Sequence, residues 1–140
     1  MASISNAPGV RTPPLYDSTD SLLRFAMRAD ATLTGLCGLA VAFFADPISS
    51  MTGLASGQEY ALGAFFVLYG LAVFSLAATP NLRRAGIGVV AANIVYTLAA
   101  ILAAEAVPMT SIGVAATLAT GIYTAAFAGL QYLGVRRLAA

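Results

Sequence analysis

Few residues in this chain of 140 could carry chemistry, since it has six acidic residues, seven basic ones and no histidine. Asp30 stands first. It lies two residues after Arg28 and opens the apolar run Ala31 to Ala45, and a carboxylate at the centre of a bilayer costs about 3 kcal/mol or more, so it usually has a reason to be there. Its position at the start of the run places it in the headgroup layer, satisfied by water, by an arginine or by Thr34 one turn on. A deeper position would make it a proton- or cation-handling group. Asn93 lies near the middle of another apolar stretch and is expected to hydrogen-bond across a helix bundle, to Thr120, Thr124 or Tyr69, or to contact a substrate. Glu59 reads as a helix-capping residue and Glu105 as a loop residue. Tyr60, Gln131 and Tyr132 read as anchors at the membrane surface, and Cys37 as a small packing residue.

The rest of the inventory argues against catalysis. Without histidine there is no imidazole base and no haem or zinc ligand of that type. The lone cysteine excludes an intramolecular disulfide and any multi-cysteine zinc or iron–sulfur site. No carboxylate pair is spaced for acid–base work within an apolar run, and no glycine-rich phosphate loop is present. The expectation is a protein that is not an enzyme, with no cofactor and no metal. A net charge of +1 and the absence of lysine leave no basic surface for nucleic acid.

What must position Asp30 and Asn93 follows from composition. With 59% hydrophobic and 9% charged residues and a mean hydropathy of +0.84, the chain is far from the roughly 25% charged of soluble domains. The bilayer is the partner it requires. Residues 1–17, with Pro8, Gly9, Pro13 and Pro14 among Ser, Asn and Thr, have little to bury and are expected to be a disordered tail; they lack a signal-peptide pattern. Residues 18–137 then form one all-α domain, a bundle of four transmembrane helices over about 20–45, 57–78, 82–104 and 111–134. Ser18 to Ser21 offer helix-start oxygens, and Leu22 to Met27, with Arg24 and Arg28 on one face, form an amphipathic entry at the membrane surface. Asp46 and Pro47 begin a short interfacial turn that ends near Gly53. Ser56 and Glu59 have capping-box spacing, and Pro80 stops the second span.

The arginines orient the bundle. Arg11, Arg24 and Arg28 precede the first span, Arg83 and Arg84 lie between the second and third, and Arg136 and Arg137 follow the fourth. Four passes put all seven on one side, so the positive-inside rule places both termini in the cytoplasm, with these arginines as interface anchors. Within lipid, helices associate through close packing and hydrogen bonds rather than hydrophobic drive, so small residues mark contacts. In the fourth span Gly113, Thr117, Gly121, Ala125 and Gly129 recur at every fourth position. Gly88, Ala92, Ala100 and Ala104 form a series in the third, and Thr34, Gly38 and Ala42 in the first. These ridges pack inside one bundle, or one of them, that of the fourth span first, faces a second copy or a larger partner.

The layout carries a resemblance. An Asp-Pro loop (Asp46-Pro47), Gly53-Leu54 before a capped helix, the run Gly63 to Phe74, an asparagine in the third helix and Leu130 to Arg137 at the end resemble the plan of small four-pass bacterial membrane proteins of the DoxX-like group, over about Leu22 to Arg137. The resemblance implies a bacterial cytoplasmic (inner) membrane location and a four-helix bundle, and it carries over no catalytic residue.

Two kinds of function fit. One is a structural or accessory component of a membrane assembly, a homo-oligomer or a subunit bound to a membrane-protein partner. The other is a small oligomeric, proton-coupled transporter or channel using Asp30.

Overall fold

The computed structural model describes residues 19–138; the tail expected over residues 1–17 lies outside the described residues. Five helices follow one another: α1 (Ser21–Phe43), α2 (Ala45–Thr52), α3 (Ser56–Leu76), α4 (Leu82–Ala106) and α5 (Ser111–Arg136). Of these, α1, α3, α4 and α5 are long and apolar enough to cross a membrane. Among the described residues there is no strand, so the fold is an all-α transmembrane bundle.

Each boundary has a local cause. The first span ends at Phe43 rather than residue 45 because Ala45 already opens α2. Here Asp46 sits inside the first turn and makes no side-chain cap. Gly53 closes α2 at φ 82°, a left-handed conformation that only glycine adopts without cost. The Ser56 and Glu59 capping box does not form. α3 begins one residue earlier, with Ala55 as N-cap, and it is Gln58 Oε1 that accepts from the Ala55 N–H at 2.8 Å. Glu59 is thereby turned inward, 3% exposed, where it accepts from the Thr52 hydroxyl of α2. The same end of α2 is clasped to α5, since Thr110 donates through its backbone N–H to Thr52 O at 2.9 Å and through Oγ1 to Met51 O at 2.6 Å. Glu59→Ala strands the Thr52 hydroxyl and is expected to cost about 1 to 3 kcal/mol, read as a lower unfolding midpoint in detergent.

The segment Leu22 to Met27 is not a separate surface element. It is the first turns of the continuous α1, and Leu23, Ala26 and Met27 are fully buried. Arg24 does not reach outward either. Its Nε pairs with Asp20 at 2.9 Å, and its Nη1 donates to Ala77 O at 2.6 Å and Thr79 O at 3.3 Å, capping the carbonyl end of α3. Arg28, Arg83, Arg84, Arg136 and Arg137 are exposed, and all six described arginines gather at the end of the bundle that carries the termini.

The helices pack as two close pairs, α1 with α3 and α4 with α5, and the pairs meet mainly through α1 and α5. Although adjacent in sequence, α3 and α4 barely touch. The α1/α3 pair is the tightest. A Cβ at Gly38 would lie 2.5 Å from Gly63 O, one at Gly63 2.7 Å from Ala42 N, and one at Gly70 2.6 Å from Ala31 O. This is small-residue packing of the expected kind, but two of its three glycines, Gly63 and Gly70, are absent from the ridges read in the sequence. The fourth-span ridge, by contrast, is split. Gly113 abuts Thr52 O and Gly121 meets Ala100, whereas Ala125 and Gly129 are exposed and Gly129 has open space around it. Gly88 likewise has no neighbour. At the terminal end, Leu23 of α1 wedges against Gly134 and Gly86 and joins the two pairs.

Candidate functional site: a buried carboxylate beside an apolar cavity

Asp30 is sealed inside the bundle and, among the described residues, pairs with no arginine. Its residue is 0% exposed and sits at the tenth position of α1, inside the bundle. Five side chains from all four spanning helices donate to its carboxylate. Thr34 Oγ1 (3.0 Å) and Tyr123 Oη (3.1 Å) reach Oδ1, while Tyr69 Oη (3.0 Å), Asn93 Nδ2 (2.9 Å) and Gln131 Nε2 (2.9 Å) reach Oδ2. Of the expected partners, Thr34 is there. Both carboxylate oxygens are thus satisfied by side chains of the bundle itself. Gln131 Oε1 in turn accepts from Asn93 Nδ2 at 2.8 Å.

Asn93 is 1% exposed and does bond across the bundle, but to Asp30 and Gln131 rather than to Thr120 or Thr124. Gln131 is not an interfacial anchor: it is fully buried and closes the triangle with Asp30 and Asn93. Its signal in the sequence was an amide within an apolar helix, masked by its nearness to the charged end. Tyr60 and Tyr132 are exposed, at 61% and 53%. Tyr69 and Tyr123 carried no signal of their own, because a tyrosine in an apolar run reads equally well as packing.

The network continues along α4 and α5. Thr97 donates to Asn93 O at 2.9 Å and meets Thr124 at 2.7 Å, and Tyr96 Oη meets Thr120 Oγ1 at 2.9 Å. Between the two helix pairs lies a partly open cavity of about 280 Å³, with an almost entirely apolar lining. Leu33, Thr34 and Cys37 of α1, Phe65, Phe66 and Tyr69 of α3, Ala92, Asn93 and Tyr96 of α4, and Ala119, Thr120, Tyr123 and Thr124 of α5 form its wall. Phe66 and Tyr96 bridge the loosely packed α3 and α4 in a T-shaped contact, with ring centroids 5.8 Å apart. Asp30 itself does not line the cavity; four of its five partners do. Cys37 is exposed on this wall rather than packed in the core.

Among the described residues no cluster of His, Cys, Asp or Glu could hold a metal ion. Comparison of the chain with protein-family models, curated proteins and solved structures finds no match.

Proposed function

We propose that this is a multi-pass protein of the bacterial cytoplasmic membrane, both termini inside, whose bundle binds one small lipophilic molecule in the cavity between its helix pairs. The observation that carries this reading is the coincidence of two costly features. A buried charge adds no stability that an apolar core would not supply, and a cavity of about 280 Å³ forfeits packing contacts. Four of the five donors to Asp30, namely Thr34, Tyr69, Asn93 and Tyr123, line that cavity, with the carboxylate behind them. Intramembrane charge beside an apolar pocket with a few convergent polar groups marks a binding site. Leu33 and Phe65 of the cavity wall are about half exposed within spanning helices, so entry is from the hydrocarbon, not from water. In this reading the chain catalyses nothing, and Asp30 is a fixed charge, held by five donors, rather than one handed along a transport path.

The test uses the purified protein in lipid nanodiscs and a lipophilic fluorescent reporter. Saturable binding near one reporter per chain is expected, and Ala119→Phe, which fills the cavity from a side chain exposed on its wall, should abolish it. Equal partitioning of the reporter into both proteins would sink the reading. For orientation, a single cysteine at Asn81 in a Cys37→Ala background should resist impermeant maleimide in intact cells and react in inverted vesicles, as the one-sided arginines require.

A second reading, the accessory or self-associating subunit, draws on the outer face of the α4/α5 pair. There Ala125 and Gly129 are exposed beside Val90 and Ile94, with no neighbour within 4 Å of a Cβ at Gly129, a surface that another helix could approach closely. A complex of fixed mass in mild detergent, lost in Gly129→Leu, is the outcome this reading expects.

A further inference from the structure

The hydrogen-bond directions around the cavity restrict what can bind there. This rests on the cavity being a ligand site, as proposed above. Each polar side chain on the wall has a countable set of protons. The hydroxyl protons of Thr34, Tyr69 and Tyr123 are engaged with Asp30 or with one another, and both Asn93 amide protons go to Asp30 and Gln131. Thr120 donates to Thr117 O at 2.7 Å, which leaves the Tyr96 proton for Thr120. Thr124 is engaged with Gly121 O and Thr97. No O–H or N–H of these groups is left to face a ligand; only the Cys37 thiol, a weak donor, remains.

Acceptors, by contrast, are available. Asn93 Oδ1 accepts no hydrogen bond within the bundle, yet no sealed side-chain oxygen or nitrogen lacks a partner, so the sliver of Asn93 that remains open is this oxygen, on the cavity wall. Its orientation is settled by the network, because the flipped amide would set oxygen against Asp30 Oδ2 and Gln131 Oε1. The hydroxyl oxygens polarised by Asp30 add further lone pairs beside it.

We infer that the cavity takes a lipophilic ammonium, an apolar body with one N–H-bearing cationic head, and rejects ligands of the same shape whose head can only accept. The head donates to Asn93 Oδ1 and to the hydroxyl oxygens, with the Asp30 charge one side-chain layer behind them. The rings of Phe65, Phe66 and Tyr96 line the cavity around the body, and aromatic rings attract positive charge. A carbonyl or quinone head would set lone pair against lone pair and leave Asn93 Oδ1 unpaired in a desolvated site, which discriminates strongly.

The probes are 1-adamantanamine and 2-adamantanone, which share one rigid cage, titrated into the full chain in nanodiscs against the fluorescent reporter. The amine is expected to displace the reporter at least about tenfold more effectively than the ketone, and Asp30→Asn to remove most of that preference. The probe comparison on the parent chain decides the matter even if the variant misfolds. A ketone that competes as well as the amine overturns the inference while leaving the cavity reading intact. If the reporter itself fails to bind saturably, the cavity reading falls first.

Discussion

Replacing Asp30 with leucine is expected to lower the stability of the bundle by about 3 kcal/mol or more, because the substitution removes one acceptor and strands five donors. The cost is not that of one hydrogen bond. An average interhelical hydrogen bond in a membrane protein contributes only about 0.6 kcal/mol, since each group finds some other partner when unfolded. Here the donors come from α1, α3, α4 and α5 and converge on one carboxylate, so the five cannot all find other acceptors without moving a helix. Asn93 and Gln131 retain each other, but Tyr69 and the Thr34/Tyr123 pair lose their only side-chain acceptor outside that pair. Asp30→Asn keeps the shape but turns an amide N–H toward groups that themselves donate, and should cost about 1 to 3 kcal/mol. Reversible unfolding in mixed micelles measures both. A leucine variant as stable as the parent would mean that the cluster is held together by the helices and does not hold them.

The second large effect is expected at Gly38. A Cβ there meets Gly63 O at 2.5 Å and Val67 N at 2.8 Å, which are backbone atoms and cannot swing away. Gly38→Leu must therefore push α1 and α3 apart along their length, and about 3 kcal/mol is expected from overpacking at such a contact. Because α1 and α3 carry Asp30, Thr34 and Tyr69, the same displacement opens the carboxylate cluster, so reporter binding should fall with stability. Gly88→Ala and Gly129→Ala serve as controls. Each has open space for the methyl group, and each should lie within about 1 kcal/mol of the parent. Equal losses at all three positions would contradict the pairing of α1 with α3 described here.

The ridge of small residues in the fourth span illustrates what periodicity leaves undecided. Gly113, Thr117, Gly121, Ala125 and Gly129 follow one row of i+4 steps, and such a row is inclined to the helix axis and winds round it. How much of the row is covered depends on where α2 and α4 cross it, and they cover only its first half, with Gly113 against Thr52 and Gly121 against Ala100. The close contact at Gly63 and Gly70 was hidden for the converse reason: two glycines seven apart in a hydrophobic run gain meaning only when opposed by Gly38 and Ala31 of the right partner.

The number of spans, their breaks and the gathering of arginines at one end were legible in the sequence itself. Hydropathy is a local sum along the chain, Pro80 and Gly53 end helices by local backbone chemistry, and arginine charge is costly wherever lipid lies. The burial of Asp30 was not. Its distance from the start of the apolar run placed it near the surface, but burial is set by neighbours, and Leu23, Ala26 and Met27 before it turned out to be core. Tyr69, Asn93, Tyr123 and Gln131 are spaced 24, 30 and 8 residues apart along the chain, and of the four only Asn93 stood out alone. What made them a site is tertiary: the order in which four helices pair decides which faces meet. With α3 and α4 left barely touching, the same packing that encloses the carboxylate also leaves the cavity beside it.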